Sequence, residues 1–147
     1  MKDVHVTVAT VVANDGRFLF VEEIVGSRTV LNQPAGHWED GESLVEAAVR
    51  ETLEETGWDV EPTALVGTYQ HQPADLPYGF LRFAFYAEPR RHHPERALDT
   101  GIERAVWLTP GELHLEAARH RSPMVWRCVE DALAGRRYPL SLVARPR

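Results

Sequence analysis

The segment Gly36-His37-Trp38-Glu39-Asp40-Gly41-Glu42-Ser43-Leu44-Val45-Glu46-Ala47-Ala48-Val49-Arg50-Glu51-Thr52-Leu53-Glu54-Glu55-Thr56-Gly57-Trp58 decides how this chain is read. Ser43 followed three residues later by Glu46 is a capping box, which opens a helix. Gly57 is placed to close that helix as the left-handed residue past its end. At 3.6 residues per turn, Glu51, Glu54 and Glu55 fall on one face. Like charges at this spacing cost a helix a few tenths of a kcal/mol per pair, and carboxylates in the last turn oppose the helix dipole. A divalent cation such as Mg²⁺ reverses the sign, because hard cations take clustered oxygen ligands. Val45, Val49, Thr52, Leu53 and Thr56 lie opposite the carboxylates and are expected to pack on the core. Ala47 and Ala48 flank the acidic side and are expected to leave room for an approaching group.

The same segment resembles the signature of the Nudix hydrolases, G-x5-E-x7-R-E-U-x-E-E-x-G-U, where U is a bulky apolar residue. Gly36, Glu42, Arg50, Glu51, Glu54, Glu55 and Gly57 occupy its fixed positions. A chance match is on the order of 10⁻⁸ per window, given how often each residue type is used. The first U position is Thr52, which keeps a β-branched shape but adds a hydroxyl. The resemblance implies an α/β fold, the Nudix α/β/α sandwich with a mixed sheet, with residues 1–147 as one domain. It implies that Glu51, Glu54 and Glu55, with the carbonyl of Gly36, hold Mg²⁺, with Mn²⁺ as a substitute. It also implies that Arg50 bridges Glu42 to a ligand glutamate. The family's general base is either a glutamate on the acidic helix or one on a later loop, and Glu103 is the later candidate by position.

Outward from this segment, His5–Ala13 and Arg17–Glu23 read as strands around the turn Asn14-Asp15-Gly16, a hairpin. Thr29–Leu31 reads as a short strand, and 32–41 as a loop. Ala64–Tyr69, Phe80–Ala87 and Glu103–Leu108 read as further strands, and Arg90–Gly101 as a charged excursion. Thr109-Pro110-Gly111-Glu112 carries an N-cap, a first-turn proline and a glutamate at N3, so it starts a short helix. The last helix runs from Ser122-Pro123 to Gly135 with Val125, Cys128, Val129, Ala132 and Leu133 as its apolar stripe. Tyr138–Val143 reads as a final strand. Strands and helices in this order suggest a mixed sheet covered on both faces.

With 147 residues, 44% hydrophobic and 26% charged, the chain has the composition of a globular protein. A net charge of −6 argues against a nonspecific nucleic-acid binder. It leaves a small anionic substrate open, because bound metal inverts the local field. The single cysteine, Cys128, fits a reducing compartment, and the N-terminus reads as a strand, so a cytoplasmic location is expected. No apolar run is long enough to span a membrane. The paired spacing of a zinc site is missing among the histidines. A monomer or homodimer is expected.

The loop before the acidic helix, Asn32-Gln33-Pro34-Ala35-Gly36, departs from the Pro-Gly-Gly common in the family. Together with Arg121-Ser122-Pro123 and Gly135-Arg136-Arg137-Tyr138-Pro139-Leu140, it resembles family phosphatases that release orthophosphate from nucleoside di- and triphosphates and from the hydroxymethylpyrimidine diphosphate precursor of thiamine. A small-molecule phosphoanhydride substrate follows from that resemblance. Gln33 is a candidate for a base edge, Arg28 and Arg82 for phosphate, and Tyr78 and Phe80 for stacking on an aromatic ring. Two rivals stay open: a pyrophosphohydrolase releasing pyrophosphate or mononucleotides, and a noncatalytic nucleotide-sensing module.

Overall fold

The computed structural model describes residues 3–146. Strands β1 (Asp3–Asn14) and β2 (Arg17–Val25) are joined by Asp15 and Gly16 at φ 55° and 76°. Positive φ at both central residues is the two-residue turn whose twist suits a hairpin. The expected hairpin forms only at its tip, where Ala13 faces Phe18 and Asn14 faces Arg17. Beyond the tip the two strands part and take different partners.

β1 pairs in parallel with β6 (Tyr78–His92), from Asp3↔Tyr78 to Val12↔Ala87, and antiparallel with the short β4 (Ala35–His37). β2 lies between β3 (Arg28–Asn32) and β7 (Ile102–Leu108), antiparallel to both. β5 (Trp58–His71) borders β6. Among the described residues these seven strands form one mixed sheet, in the order β3-β2-β1-β6-β5 with β4 on β1 and β7 on β2.

Alternation along β1 sends Val8 to one face and Val11 to the other. Val8, Leu65 and Phe85 meet helix α1 (Leu44–Thr56). Val11, Val66 and Ala84 meet helix α3 (Met124–Leu133) and Leu113 of the short helix α2 (Pro110–Leu115). Helices therefore cover both faces, as the sequence suggests.

The seating of α1 corrects the sequence reading. Ala47 and Ala48 are fully buried against the sheet, while Val45, Val49 and Leu53 are half-buried. Small side chains let the helix backbone approach the strands closely, so larger residues there would overpack the contact. Leu133, expected on the apolar stripe of α3, is 55% exposed, whereas Val125, Cys128, Val129 and Ala132 are buried.

Other elements also differ. The loop at 32–41 contains β4, and β5 and β6 run well beyond the expected Ala64–Tyr69 and Phe80–Ala87. The start of the charged excursion is strand, with Arg90 paired to Glu61 and Glu88. Tyr138–Val143 makes a single bridge, Tyr138 to Leu65, and then a 3₁₀ turn at Leu140–Val143. Pro139 directly after the bridge has no N–H with which to continue a ladder.

Candidate active site

Both ends of α1 are set by its own sequence. Ser43 Oγ accepts from Glu46 N at 3.0 Å, and Ser43 N donates to Glu46 Oε1 at 2.8 Å. Gly57 adopts φ 74° and donates its N–H to Leu53 O at 2.9 Å. The off-pattern Thr52 is buried and donates to Ala48 O at 2.7 Å. The Thr10 hydroxyl, also buried and 2.8 Å away, is then the donor to Thr52 Oγ1.

Arg50 ties this helix to the loop before it. Its Nε and Nη2 grip the two oxygens of Glu42 at 2.9 and 2.7 Å, and Nη2 also reaches His37 O at 3.1 Å. Its Nη1 donates to Glu51 at 2.8 Å and to Glu54 at 3.3 Å. One planar guanidinium therefore spans loop and helix, a geometry a lysine does not reproduce. The bond from Arg50 holds Glu42 below the usual carboxylate range.

Carboxylate oxygens of Glu51, Glu54 and Asp99 lie within 4.8 Å of one another. Asp99 comes from the connection between β6 and β7, which is fastened to the end of α1 by Asp99 N donating to Glu54 O at 3.1 Å. Gly36 stands so close to Glu51 that a Cβ there would overlap its carboxylate. Glu55 turns inward, buried, and accepts the Ala35 N–H at 2.8 Å.

Burial pushes the Glu51 carboxyl up, with Glu54 and Asp99 adding repulsion and Arg50 opposing. Burial pushes Glu55 up to about 8, with repulsion from Glu23, Glu51 and Asp99 added and the Ala35 N–H opposing. Carboxylates crowded together with raised proton affinity are a typical feature of functional sites.

Of these groups Gly36, Glu51 and Glu55 line a cavity of about 770 Å³, together with Arg82, Tyr78 and Phe80. Arg28 lines it too, exposed at the sheet edge with Nη2 donating to Ala118 O at 3.3 Å. Tyr78 and Phe80 belong to an aromatic group in which the Tyr78 ring stacks on His5 at 4.1 Å and meets Phe80 edge-on at 5.5 Å.

Two sequence candidates are placed differently. Gln33 is fully buried, its amide donating to Val125 O at 2.7 Å and accepting from Arg82 at 2.8 Å, so neither end is free to read a base. Glu103, the later candidate for a general base, is exposed on β7 and outside the converging carboxylates, which Asp99 joins. The only local sign of Asp99 in the sequence is its position before Thr100-Gly101, a turn in which Ile102 N donates back to Asp99 O at 3.1 Å.

The family model of the NUDIX domain matches residues 1–127. The chain belongs to the Nudix hydrolase family, enzymes that act on pyrophosphate bonds. It is 41% identical over 140 residues to the phosphatase NudJ of Escherichia coli K12, covering 95% of this chain and 90% of that protein. A NUDIX hydrolase structure from Nitrosomonas europaea superposes with a TM-score of 0.95 at 45% identity, covering 98% of each chain. A MutT NUDIX hydrolase from Burkholderia pseudomallei, at 20% identity and TM-score 0.69, shares the fold. No helix among the described residues is long and apolar enough to cross a membrane.

Proposed function

We propose that this enzyme is a Mg²⁺-dependent phosphohydrolase, able to use Mn²⁺, that releases orthophosphate from nucleoside di- and triphosphates and from a pyrimidine-methanol diphosphate. The observation that carries the reading is the convergence of Glu51, Glu54 and Asp99, oxygen donors from two separate parts of the chain. Hard carboxylates at this density fit Mg²⁺ or Mn²⁺, with Gly36 and Glu55 beside them. Bound there, the metal would supply phosphate charge neutralisation and a more acidic water.

The protein's own work is positional. Arg50 fixes Glu51 and Glu54 and anchors Glu42 and the His37 carbonyl, so loop and helix move as one. Glu55 clamps Ala35, which sets the backbone of Gly36 next to it. Outer hydrogen bonds of this kind typically matter ten- to a hundredfold in metal affinity. The 41% identity to a protein named a phosphatase supports release of orthophosphate. The fit of the chain to bacterial relatives supports a cytoplasmic setting.

Product analysis tests the proposal. With Mg²⁺ and a panel of nucleoside di- and triphosphates, orthophosphate should accumulate from both. Pyrophosphate without orthophosphate from the triphosphates would replace this reading with the pyrophosphohydrolase alternative.

A further inference from the structure

Arg82 is 4% exposed, yet it forms no ion pair among the described residues. Its Nη1 donates to Gln33 Oε1 at 2.8 Å and its Nη2 to Asn32 Oδ1 at 3.1 Å, both neutral amides. A third contact, Nη1 to Cys128 Sγ at 3.9 Å, is weak. The buried Nε–H meets no acceptor among the described residues. Buried cations are ordinarily paired, because desolvating an uncompensated charge is costly. Nearby carboxylates are committed elsewhere: Glu23 accepts from Arg121 at 2.8 Å and from Asn32 at 3.3 Å, and Glu55 accepts from Ala35.

The clamp on this guanidinium is deliberate in its wiring. Gln33 is anchored from behind by its bond to Val125 O at the start of α3, and Asn32 by its bond to Glu23. Each amide therefore presents its oxygen to Arg82 and holds the planar group at the wall of the cavity that Gly36 and Glu51 also line. Tyr78 and Phe80 lie on the same strand, β6, four and two residues away, and so on the same sheet face.

We infer that Arg82 is a substrate-binding, specificity-determining residue, an amide-clamped cation that receives an electron-rich oxygen of a heterocycle-bearing di- or triphosphate ester whose ring packs by Tyr78 and Phe80. This rests on the cavity being the substrate site. The oxygen comes from a phosphoryl group or from a ring carbonyl, and both satisfy the same donor. Substrate binding supplies the countercharge or acceptor that the protein withholds, and the clamped plane gives directional selectivity.

The test pairs kinetics with binding for Arg82→Gln and Arg82→Lys, using uridine diphosphate and inorganic pyrophosphate as probes. Loss of a hydrogen bond to a charged donor should raise KM by roughly ten- to a hundredfold in Arg82→Gln, with a smaller change in kcat. Arg82→Lys keeps the charge without the fork and should fall between. Glu54→Gln shows the opposite split, a loss of kcat, so failure of the metal reading is seen separately. Calorimetric binding of uridine diphosphate in EDTA removes the metal from the comparison. Weaker binding of both probes identifies a phosphoryl oxygen, and weaker binding of uridine diphosphate alone identifies a ring acceptor. If Arg82→Gln does not fold, Arg82→Lys decides by the same readouts. Unchanged KM and affinity in a folded variant, or no uridine diphosphate binding by the wild type in EDTA, overturns the inference.

Discussion

Replacing Glu55 with Gln isolates the electrostatic cost of the site from its shape. The amide is isosteric, and its oxygen can still accept the Ala35 N–H that Glu55 Oε1 takes at 2.8 Å. In the wild type, burial first and repulsion from Glu23, Glu51 and Asp99 second push this carboxyl from 4.5 up to about 8. The folded chain thus keeps a proton at pH values where the unfolded chain has released it. Stability must fall as pH rises from the unfolded value and level off above the folded one. At pH 7 the interval above 4.5, taken at about 1.4 kcal/mol per unit, amounts to roughly 3 kcal/mol. Without divalent metal, Glu55→Gln should therefore be more stable than wild type at pH 7 by about that amount, on the order of 6–12 °C in Tm for a chain of this size. The gap should close towards pH 4.5. Thermal unfolding in EDTA between pH 5 and pH 8 reads all of this. A variant equal to or weaker than wild type at pH 7 and pH 8 would refute the claim that a strained carboxylate sits there.

Two other perturbations follow from the same geometry. Gly36→Ala puts a methyl group into the Glu51 carboxylate, so phosphatase assays should show kcat at least tenfold lower while circular dichroism and Tm change little. Thr52→Val strands the buried Thr10 hydroxyl, which should cost about 1–3 kcal/mol in urea unfolding, and adding Thr10→Val should recover most of it.

What the sequence made legible is what is local. The capping boxes at Ser43–Glu46 and Thr109–Glu112 and the glycine stop at Gly57 formed as read, because each depends only on residues within one turn. The acidic face and the Arg50–Glu42 bridge were equally accessible, since helix periodicity and one short loop bring them together. Asp99 escaped because its partnership with Glu54 depends on where β6 ends and β7 begins. Gln33 was misjudged for a related reason: a polar residue in a loop looks available until α3 and β6 close over it and occupy both ends of its amide. Ala47 and Ala48 were misplaced because residue size alone does not reveal that this helix buries its narrow side. The long reach of β5 and β6 was hidden by Pro62 and Pro89, which sit at or beside irregular pairing where a missing N–H is tolerated.

The most direct measurement is a Mn²⁺ titration of the full chain, followed by electron paramagnetic resonance, for wild type, Glu54→Gln, Asp99→Asn and Glu103→Gln. Saturable binding is expected in the wild type and in Glu103→Gln, with affinity reduced at least tenfold in Glu54→Gln and Asp99→Asn. Wild-type affinity in both of those variants, or loss of binding in Glu103→Gln alone, would contradict a metal centre built on Glu51, Glu54 and Asp99.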